Sequence, residues 1–493
     1  MNRTTTIQDR GTPSAAPQSG FRLLPAVIAL YYIIHAVCYA RALEFSSLPD
    51  ILGCAALTLV YCYALHFSIY RPGRPLTLTL APLVTIFTLF YGTIRNQLYS
   101  VAWVTAFVRQ HLWDKHNLVA LVLFAGGSAL LLRLLAGSPQ RVYAAARSFM
   151  VFFAILALMD IGSYYQDRHA AQLHPIIVPA PMTFAGDKPD VYLLIFDSQT
   201  SPASLEKYWG YRSDTLTTAL RERGLFVEED GRSNYNWTPY SMTSILNMSY
   251  LRERTPVPTH TELPSSLTAG VIRTFTDNGY SFVNLSFFNV NSVPALRSII
   301  QYSLWEPTVF YYLYDRYTNY AYRDFCSNQR TMFHLTADSL SAVIERTTSG
   351  PKFVYAHFYV PHTPAFIDRD GSDYASSTRN VQDMDGYLRQ AIFSYGMIGR
   401  LVDRILLKSS GRAIILIQGD HGYRYLEGPR KFDEEFCAFK AYYFPDRNYR
   451  LLASRTSSVN TFRIVLNTEF GASLPLLPDT SFDILLNTLR TLR

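Results

Sequence analysis

The sequence predicts a membrane protein in two parts: a bundle of about five transmembrane helices, followed by an α/β domain doubly wound around a mostly parallel sheet. Two observations lead to this prediction. The first third contains five apolar segments, and the remainder alternates short apolar strands with helical segments. Only 17% of the 493 residues are charged, against about 25% in an average soluble protein. The length allows both parts to be sizeable.

The N-terminal part is the predicted membrane domain, at 21–166. Residues 1–20 are polar and are expected to form a disordered cytoplasmic tail. Each apolar segment is about as long as the roughly 20 residues that a bilayer-spanning helix requires. Five such segments within one third of the chain favour membrane spans over buried core helices. They lie at 23–43, 50–70, 76–94, 118–136 and 148–165.

The loop charges predict the topology. Arg71 and Arg74 lie between the second and third segments, and Arg141 lies between the fourth and fifth, so this side is expected to be cytoplasmic. The opposite loop, 95–117, also contains basic residues. Segment parity then places the C-terminal domain on the outer side of the membrane, as part of a multi-pass membrane protein. We interpret the net charge of +7 as loop arginines that face a membrane, which argues against a nucleic-acid partner.

Residues 167–188 are the predicted linker, because Pro175 to Pro181 contains three prolines among small and apolar residues. The predicted catalytic domain follows at 189–493. Its first strand, Asp190 to Phe196, is an apolar run that ends on Asp197. In a parallel sheet such a residue lies at the edge where ligands bind. The alternative for Asp197 is a carboxylate that only caps the next helix.

A hydroxyl group comes next. Pro239 fits the first position of a helix, so Thr238 is predicted at the N-cap, near the positive end of the helix dipole. A metal at this place would lower the pKa of the hydroxyl and make it a nucleophile. On its own, Thr238 is better explained as an ordinary N-cap.

A further buried strand, 414–419, leads into Asp420-His421-Gly422. A carboxylate beside an imidazole suits Zn²⁺ or Mn²⁺. Between these motifs, the strand 352–360 contains His357 and leads into Pro361-His362-Thr363-Pro364. His357 alternates with large residues and is either a hydrogen-bonded core histidine or part of the site.

In this order, the motifs resemble the alkaline phosphatase/sulfatase superfamily over roughly residues 188–480. The membrane-bound, sulfatase-like branch, with its phosphoethanolamine and phosphoglycerol transferases and lipoteichoic-acid synthases, is the most similar. The resemblance implies one divalent metal ion, Zn or Mn, and a nucleophilic Thr238. The implied metal ligands are Asp197, Thr238, Asp420 and His421.

The resemblance also implies substrate contacts. His362 would contact the phosphate or act as the acid for the leaving group. His357 and Arg424 are the further candidate substrate contacts, and a plain surface charge is the alternative for Arg424.

The motifs of this chain differ from those of related families in three ways, which restrict the expected reaction and the expected number of metal ions. Sulfatases need Cys or Ser in a C/S-x-P-x-R context, whereas this chain has Thr238-Pro-Tyr-Ser-Met. Phosphoethanolamine transferases usually carry Glu where this chain has Asp197. The Asp-x-x-x-His pair of two-metal relatives is missing after the Thr238 helix, which favours a single metal.

The expected function is therefore transfer of a phospho-head-group from a membrane lipid to a lipid or glycan acceptor. A phosphodiesterase, phosphatase or sulfatase-like hydrolase is one alternative, and an inactive membrane assembly protein is another. Residues 302–325 are crowded with aromatic side chains, which suit a lipid–water interface or the packing of an insertion. Cys326 and Cys437 are able to pair only if the C-terminal domain lies outside the cytoplasm.

Overall fold

The computed structural model divides the chain into two compact units. One unit comprises 1–168 together with 301–319, and the other comprises 169–300 together with 320–493. Apart from the single residues 185, 268, 292 and 319, the structure describes residues 20–38, 48–100, 116–173, 182–251, 266–296, 308–374, 383–426, 431–483 and 491–492. The predicted tail and most of the 95–117 loop lie outside these ranges.

The first unit contains five apolar helices at the predicted places. They are α1 (Leu24–Cys38), α2 (Leu48–Ile69), α3 (Leu76–Ser100), α4 (His116–Leu135) and α5 (Pro139–Leu173). Within the described residues, three helices are long and apolar enough to cross a membrane: Ile51–Ile69, Leu76–Arg95 and Pro139–Tyr165. The apolar parts of α1 and α4 are shorter.

The described helices of this unit pack around a small apolar core and expose large apolar side chains. Tyr32 and Phe90 belong to that core, whereas Leu123, Phe152 and Leu158 are exposed. An apolar exterior of this kind fits a lipid environment. Between α1 and α5, His35 Nδ1 lies 2.9 Å from Asp160 Oδ2. The two side chains therefore satisfy each other within the apolar unit.

The start of the predicted linker is helical. Helix α5 continues to Leu173, past the predicted boundary at 167, because residues 166–173 are mostly good helix formers. Residues 174–181 lie outside the described part of the chain.

The second unit contains a six-stranded sheet. Its strands are β1 (Val191–Phe196), β2 (Phe226–Val227), β4 (Ser281–Leu285), β6 (Lys352–Phe358), β7 (Ile414–Gly419) and β8 (Lys440–Tyr443). They lie in the order β2-β8-β7-β1-β6-β4. Strand β1 pairs in parallel with β6 and β7, and β4 pairs in parallel with β6, whereas the pairs β7/β8 and β8/β2 are antiparallel. Short pairs elsewhere are formed by β3 (Ser266–Leu267) with β5 (Asn289–Val290), and by β9 (Ser481–Phe482) with β10 (Thr491–Leu492).

Both faces of this sheet are covered, as predicted for a doubly wound fold. In β1, Leu194 and Phe196 point into one apolar cluster, and Leu193 and Ile195 point into the other. This alternation explains why the central strands are continuously apolar. The helices are α6 (Pro202–Trp209), α7 (Asp214–Glu222), α8 (Thr238–Asn247), α9 (Gly270–Asp277), α10 (Val309–Thr318), α11 (Tyr320–Glu345), α12 (Met384–Ser409), α13 (Lys431–Glu434) and α14 (Thr461–Glu469). Of these, α10 belongs to the first unit.

Two local features concern Gly210 and Cys437. The segment 202–223 forms two helices, α6 and α7, because Gly210 takes a left-handed conformation and ends the first helix. The sequence left a pairing of Cys437 with Cys326 open, and Cys437 is a free, buried thiol that donates to the carbonyl of Asp433.

Candidate metal centre and active site

Two carboxylates meet at the carboxyl edge of the sheet. Phe196 at the end of β1 is in register with Gly419 at the end of β7, so Asp197 and Asp420 follow neighbouring strands. Both side chains are buried. The backbone N–H of Asp197 donates to the carbonyl of Phe358, which fixes this end of β1 against β6. Parallel pairing thus brings together two acids that are 223 residues apart in the sequence.

His421 adds a nitrogen to this pair. Its Nδ1 lies 2.8 Å from the carbonyl oxygen of Gly422, which can only accept, so Nδ1 carries the proton. The unprotonated Nε2 faces the carboxylates, 3.4 Å from Asp420 Oδ2 and 3.7 Å from Asp197 Oδ1. A backbone carbonyl that holds one ring nitrogen is a usual support for a metal-binding histidine.

Thr238 completes the group from helix α8. Its Oγ1 lies 3.2 Å from His421 Nε2, and the residue is largely buried. The helix begins at Thr238 itself, and Trp237 is the N-cap, one residue earlier than predicted. The carbonyl of Trp237 accepts from the backbone N–H groups of Tyr240 and Ser241, which defines this start. The hydroxyl therefore still lies at the positive end of a helix.

These four residues fit a divalent cation. With bonds of about 2.0–2.1 Å, ligand atoms around a tetrahedral zinc are roughly 3.3–3.4 Å apart, close to the distances measured from His421 Nε2. Asp197 Oδ2 and Asp420 Oδ2 are buried without a hydrogen-bond partner among the described residues. Buried, unpaired carboxylates are costly, and a bound cation removes that cost.

The electrostatics agree with this interpretation. Burial, and then repulsion by Asp420, raises the pKa of Asp197 to about 7, although His362 and Arg424 oppose the rise. Burial lowers the pKa of His421 well below its usual value, which keeps the imidazole neutral. Without a cation, the carboxylate pair is therefore prone to hold a proton, whereas the histidine is ready to bind a metal.

Ser198 is a supporting residue that sequence reasoning missed. Its backbone N–H donates to Asp420 Oδ1 at 2.9 Å, and its hydroxyl donates to Asp197 Oδ1 at 3.3 Å. The residue has φ +62°, a left-handed conformation that a serine rarely adopts. The hydroxyl of Tyr387 donates to its carbonyl and helps to hold this conformation. Its position directly after the strand-terminal Asp197 was the only available signal.

Gly422 is required by the close packing after His421. A Cβ at this position would lie 1.9 Å from the carbonyl oxygen of Glu434. The N–H of Gly422 also donates to the carbonyl of Glu435. Only glycine lets the segment after His421 approach the loop before β8 this closely.

His357 lies behind Asp197, in a position that differs from the substrate contact predicted for it. It is fully buried on β6, and its Nε2 is 3.6 Å from Asp197 Oδ2. Its Nδ1 is 2.8 Å from the hydroxyl of Tyr355, and its ring packs on Phe287. Together with Asp197 and Asp420 it forms a group that could hold a metal ion. Its contacts therefore link it to the candidate metal ligands, which it helps to orient.

His362 and Arg424 form a separate pair beside the ligands. His362 Nδ1 lies 2.5 Å from the carbonyl of Thr363 and therefore carries the proton. Arg424 Nη2 lies 2.9 Å from His362 Nε2, which must accept. The guanidinium also lies over the ring of Trp237, 4.5 Å from its centroid. The structure thus places a fixed positive charge next to the helix start that carries Thr238.

We expect metal binding to weaken in acid. Since the pKa of Asp197 is raised to about 7 in the metal-free protein, the cation has to displace a proton at lower pH. The apparent affinity for Zn²⁺ should fall about tenfold for each pH unit below 7 and level off above it. Competition titrations with a chromophoric chelator at pH 5.5, 6.5 and 7.5 measure this change, and an affinity that is constant over this range would contradict it.

Comparison with known proteins gives one family match. The sequence profile of the sulfatase family matches residues 189–457, which is more than half of the chain. No curated protein sequence gives a significant match.

Several solved structures are similar. The periplasmic domain of EptC from Escherichia coli is 10% identical, covers 62% of this chain and 93% of its own, and has a TM-score of 0.39. Lipooligosaccharide phosphoethanolamine transferase A (EptA) from Neisseria meningitidis is 14% identical, covers 90% of this chain and 95% of its own, and has a TM-score of 0.38. The phosphonate monoester hydrolase of Agrobacterium radiobacter is 10% identical, covers 60% of this chain and 80% of its own, and has a TM-score of 0.38.

Proposed function

The chain belongs to the sulfatase family, and on this premise we propose that it is a membrane-anchored phosphotransferase. It moves a phosphoethanolamine or phosphoglycerol head group from a lipid to a lipid or glycan acceptor of the bacterial envelope, on the outer side of the inner membrane. One observation carries the proposal: the Thr238 hydroxyl lies 3.2 Å from the unprotonated nitrogen of His421, beside two buried carboxylates.

The proposed cofactor is one Zn²⁺ or Mn²⁺ ion held by Asp197, Thr238, Asp420 and His421. When bound, the ion supplies Lewis acidity, which lowers the pKa of a hydroxyl and neutralises charge on phosphoryl oxygens. Ser198 orients both carboxylates through its backbone and side-chain donors. His421 is held in the correct tautomer by the carbonyl of Gly422.

Thr238 is the proposed nucleophile. Its Oγ1 loses its proton and forms a bond to phosphorus, while the bond from phosphorus to the glycerol oxygen breaks and diacylglycerol leaves with a proton. The head group is then carried on Thr238 as a phosphodiester. A hydroxyl of the acceptor attacks the same phosphorus, gives up its proton and restores the Thr238 hydroxyl.

The start of helix α8 and Arg424 stabilise the negative charge that builds up on the phosphoryl oxygens. The dipole of the helix favours an anion at this end. Arg424 is held by Trp237 on one side and by His362 on the other, so little reorganisation is needed when charge develops.

The threonine argues for phosphoryl rather than sulfuryl transfer. A sulfatase of this family needs a residue that can be oxidised to formylglycine, whereas Thr238 retains its hydroxyl as the reacting group. A membrane-embedded anchor is useful if the donor is a lipid. The helices Ile51–Ile69, Leu76–Arg95 and Pro139–Tyr165 support such an anchor.

Lipid turnover by the full-length chain tests the proposal. The protein, loaded with Zn²⁺ in nanodiscs, is supplied with phosphatidylethanolamine or phosphatidylglycerol that carries a fluorescent acyl chain. Release of diacylglycerol, together with Thr238 that carries phosphoethanolamine or phosphoglycerol in digested protein, supports a transferase. Free phosphoethanolamine or glycerol phosphate formed at the full rate without an acceptor supports the hydrolase. No turnover of either lipid by zinc-loaded, folded protein supports the inactive assembly protein.

We expect His362 to act through Arg424, not as the acid. With Nδ1–H donated to Thr363 and Nε2 accepting from Arg424, the neutral ring has no proton directed at a leaving group. Arg424→Gln should lower kcat/KM about 10²-fold, as loss of one charge-stabilising donor does, and His362→Ala should cost roughly tenfold. His362→Gln keeps an acceptor for Arg424 and should recover part of that loss.

The choice of substrate separates the two roles of His362. A nitrophenyl phosphodiester has a leaving group that needs no proton, whereas a lipid donor has a poor one. If His362 positions Arg424, His362→Ala loses the same factor on both substrates. If the loss disappears with the nitrophenyl ester, His362 is the acid and the positioning role is wrong.

A further inference from the structure

Helix α10, Val309–Thr318, lies within the catalytic part of the sequence but belongs to the helical membrane unit. We propose that α10 is a re-entrant helix embedded in the outer leaflet, where it anchors the catalytic unit a second time and exposes one face to lipid acyl chains. The proposal concerns membrane association and does not depend on which reaction the site performs.

Aromatic contacts attach α10 to two of the candidate spans. The ring of Phe310 lies 5.4 Å from that of Tyr61 on α2, centroid to centroid. On α3, the ring of Tyr91 lies 5.3 Å from that of Tyr312, and the guanidinium of Arg95 lies 5.7 Å from the Tyr312 centroid. The helix is therefore packed on the spans themselves.

The depth of α10 follows from these contacts. The hydroxyl of Tyr61, the partner of Phe310, donates to Thr88 Oγ1 at 2.6 Å, and Thr88 is seven residues before Arg95, where the α3 span ends. At 1.5 Å per residue, this level is about 10 Å inside the outer end of the span. Phe310 thus reaches the depth at which acyl chains, not head groups, surround a helix.

The path of the chain makes α10 re-entrant. Ten residues of helix measure about 15 Å, half of the roughly 30 Å that a bilayer core requires. The chain enters this segment from the α/β unit at 300/301 and returns to that unit at 319/320. It therefore enters and leaves on the same side. Such a segment is stable in a membrane when its backbone is helical and is packed against protein.

The exposed face of α10 is aromatic and apolar, which suits lipid. Phe310, Leu313 and Tyr314 are 50%, 45% and 53% exposed, and their spacing puts them on one side of the helix. Helix α2, which contains Tyr61, also has exposed apolar side chains, those of Leu57 and Val60. The apolar surface of a candidate span and that of α10 are thus linked through the Phe310–Tyr61 contact. In water this surface would be costly, whereas in a bilayer it is not.

A second anchor has a functional consequence. A single linker of about 20 residues allows a domain to move widely, whereas three chain crossings between the units restrict it. The aromatic-rich stretch 302–325, for which the sequence left interface and insertion packing open, contains α10.

Spin-label accessibility tests the depth of α10. Three exposed leucines are each replaced by a labelled cysteine in a cysteine-free, full-length chain in proteoliposomes: Leu313 at 45%, Leu123 in α4 at 57%, and Leu451 in the α/β unit at 41%. We expect the label at position 313 to match that at 123, with oxygen relaxing it more strongly than a water-soluble nickel chelate. A label at 313 as accessible to nickel as that at 451 would overturn the proposal. Protection that disappears when protein is diluted with lipid would assign the face to a second copy and also overturn it.

Cleavage of the first linker tests the anchor. A protease site is inserted after Gly186 in the full-length chain, because this glycine is exposed and a Cβ added to it would meet no other residue within 4 Å. After cleavage, the fragment that begins at 187 should stay with the membranes in 1 M salt. The same fragment with Leu313→Asp and Tyr314→Asp should be released at least tenfold more, whereas the matched surface change Leu451→Asp should have no effect. Release of the unsubstituted fragment to the level of the double variant would show that α10 does not anchor it.

Neither result depends on turnover. Membrane retention and label depth are measured without a substrate or a metal. If the enzyme is inactive but the fragment is retained, the proposed function is wrong and the second anchor is supported. If the fragment is released but the enzyme is fully active, the second anchor is wrong and the proposed function is supported.

Discussion

Thr238→Ala is expected to abolish head-group transfer while the chain keeps its fold. The hydroxyl lies 3.2 Å from Nε2 of His421, one of the proposed metal ligands. Removal of a nucleophile typically costs on the order of 10⁴–10⁶ in turnover. Alanine suits a helix interior, and the helix start is defined by the carbonyl of Trp237, which does not change. The measurement is diacylglycerol release from a labelled lipid by the full-length variant in nanodiscs.

Thr238→Ser is the matched control for this prediction. It keeps the oxygen and loses only a methyl group, so we expect at least about a tenth of the wild-type rate and a phosphorylated serine at position 238. Zn²⁺ should still bind to Thr238→Ala through the two carboxylates and His421. Transfer by Thr238→Ala at more than a hundredth of the wild-type rate would mean that another group forms the first bond to phosphorus.

Asp420→Asn is expected to have opposite effects on stability with and without metal. Asp420 raises the pKa of Asp197 by repulsion, so a neutral side chain there removes a buried like-charge contact. Asparagine retains an oxygen to accept from the backbone N–H of Ser198. The metal-free variant should therefore be more stable than wild type, by about 1–2 kcal/mol at pH 7.5.

With zinc bound, wild type is expected to be more stable than Asp420→Asn. A metal ligand has been lost, and the affinity should fall by more than the 10–100-fold that loss of a supporting partner costs. At a Zn²⁺ concentration 1,000 times the wild-type Kd, wild type gains about 4 kcal/mol, and the variant gains much less. Thermal unfolding with chelator and with Zn²⁺, combined with metal analysis of the dialysed protein, measures both effects.

The exposed carboxylate Asp370 provides the control, because Asp370→Asn should change neither the metal content nor the response to zinc. Equal stabilisation of Asp420→Asn and wild type by zinc would exclude Asp420 as a ligand.

The stability of the metal-free wild type is also expected to depend on pH, because the buried Asp197 carboxylate is more costly than the protonated acid. A native pKa of about 7 for Asp197, above its unfolded value, means that stability decreases as the pH rises from about 4 to about 7.

The sequence by itself determined the fold class and the order of the motifs. The strands that end on Asp197 and Asp420 are continuously apolar because both of their faces are covered, and that pattern is local and readable. The five apolar helices were likewise readable from composition and length, because spanning a bilayer is a property of a single segment. Placement of both acids at one edge followed from the rule for parallel strands.

The tertiary structure alone decided how these residues work. The tautomer of His421, the left-handed Ser198, the contact of His357 with Asp197 and the pair of His362 with Arg424 all depend on atoms brought together by folding. The same is true of α10, whose aromatic residues gave no indication of their partner until Tyr61 and Tyr91 were found beside them. Local patterns determine which segments are strands or helices, but hydrogen bonds and ring contacts between distant segments are set by the packing of the whole chain.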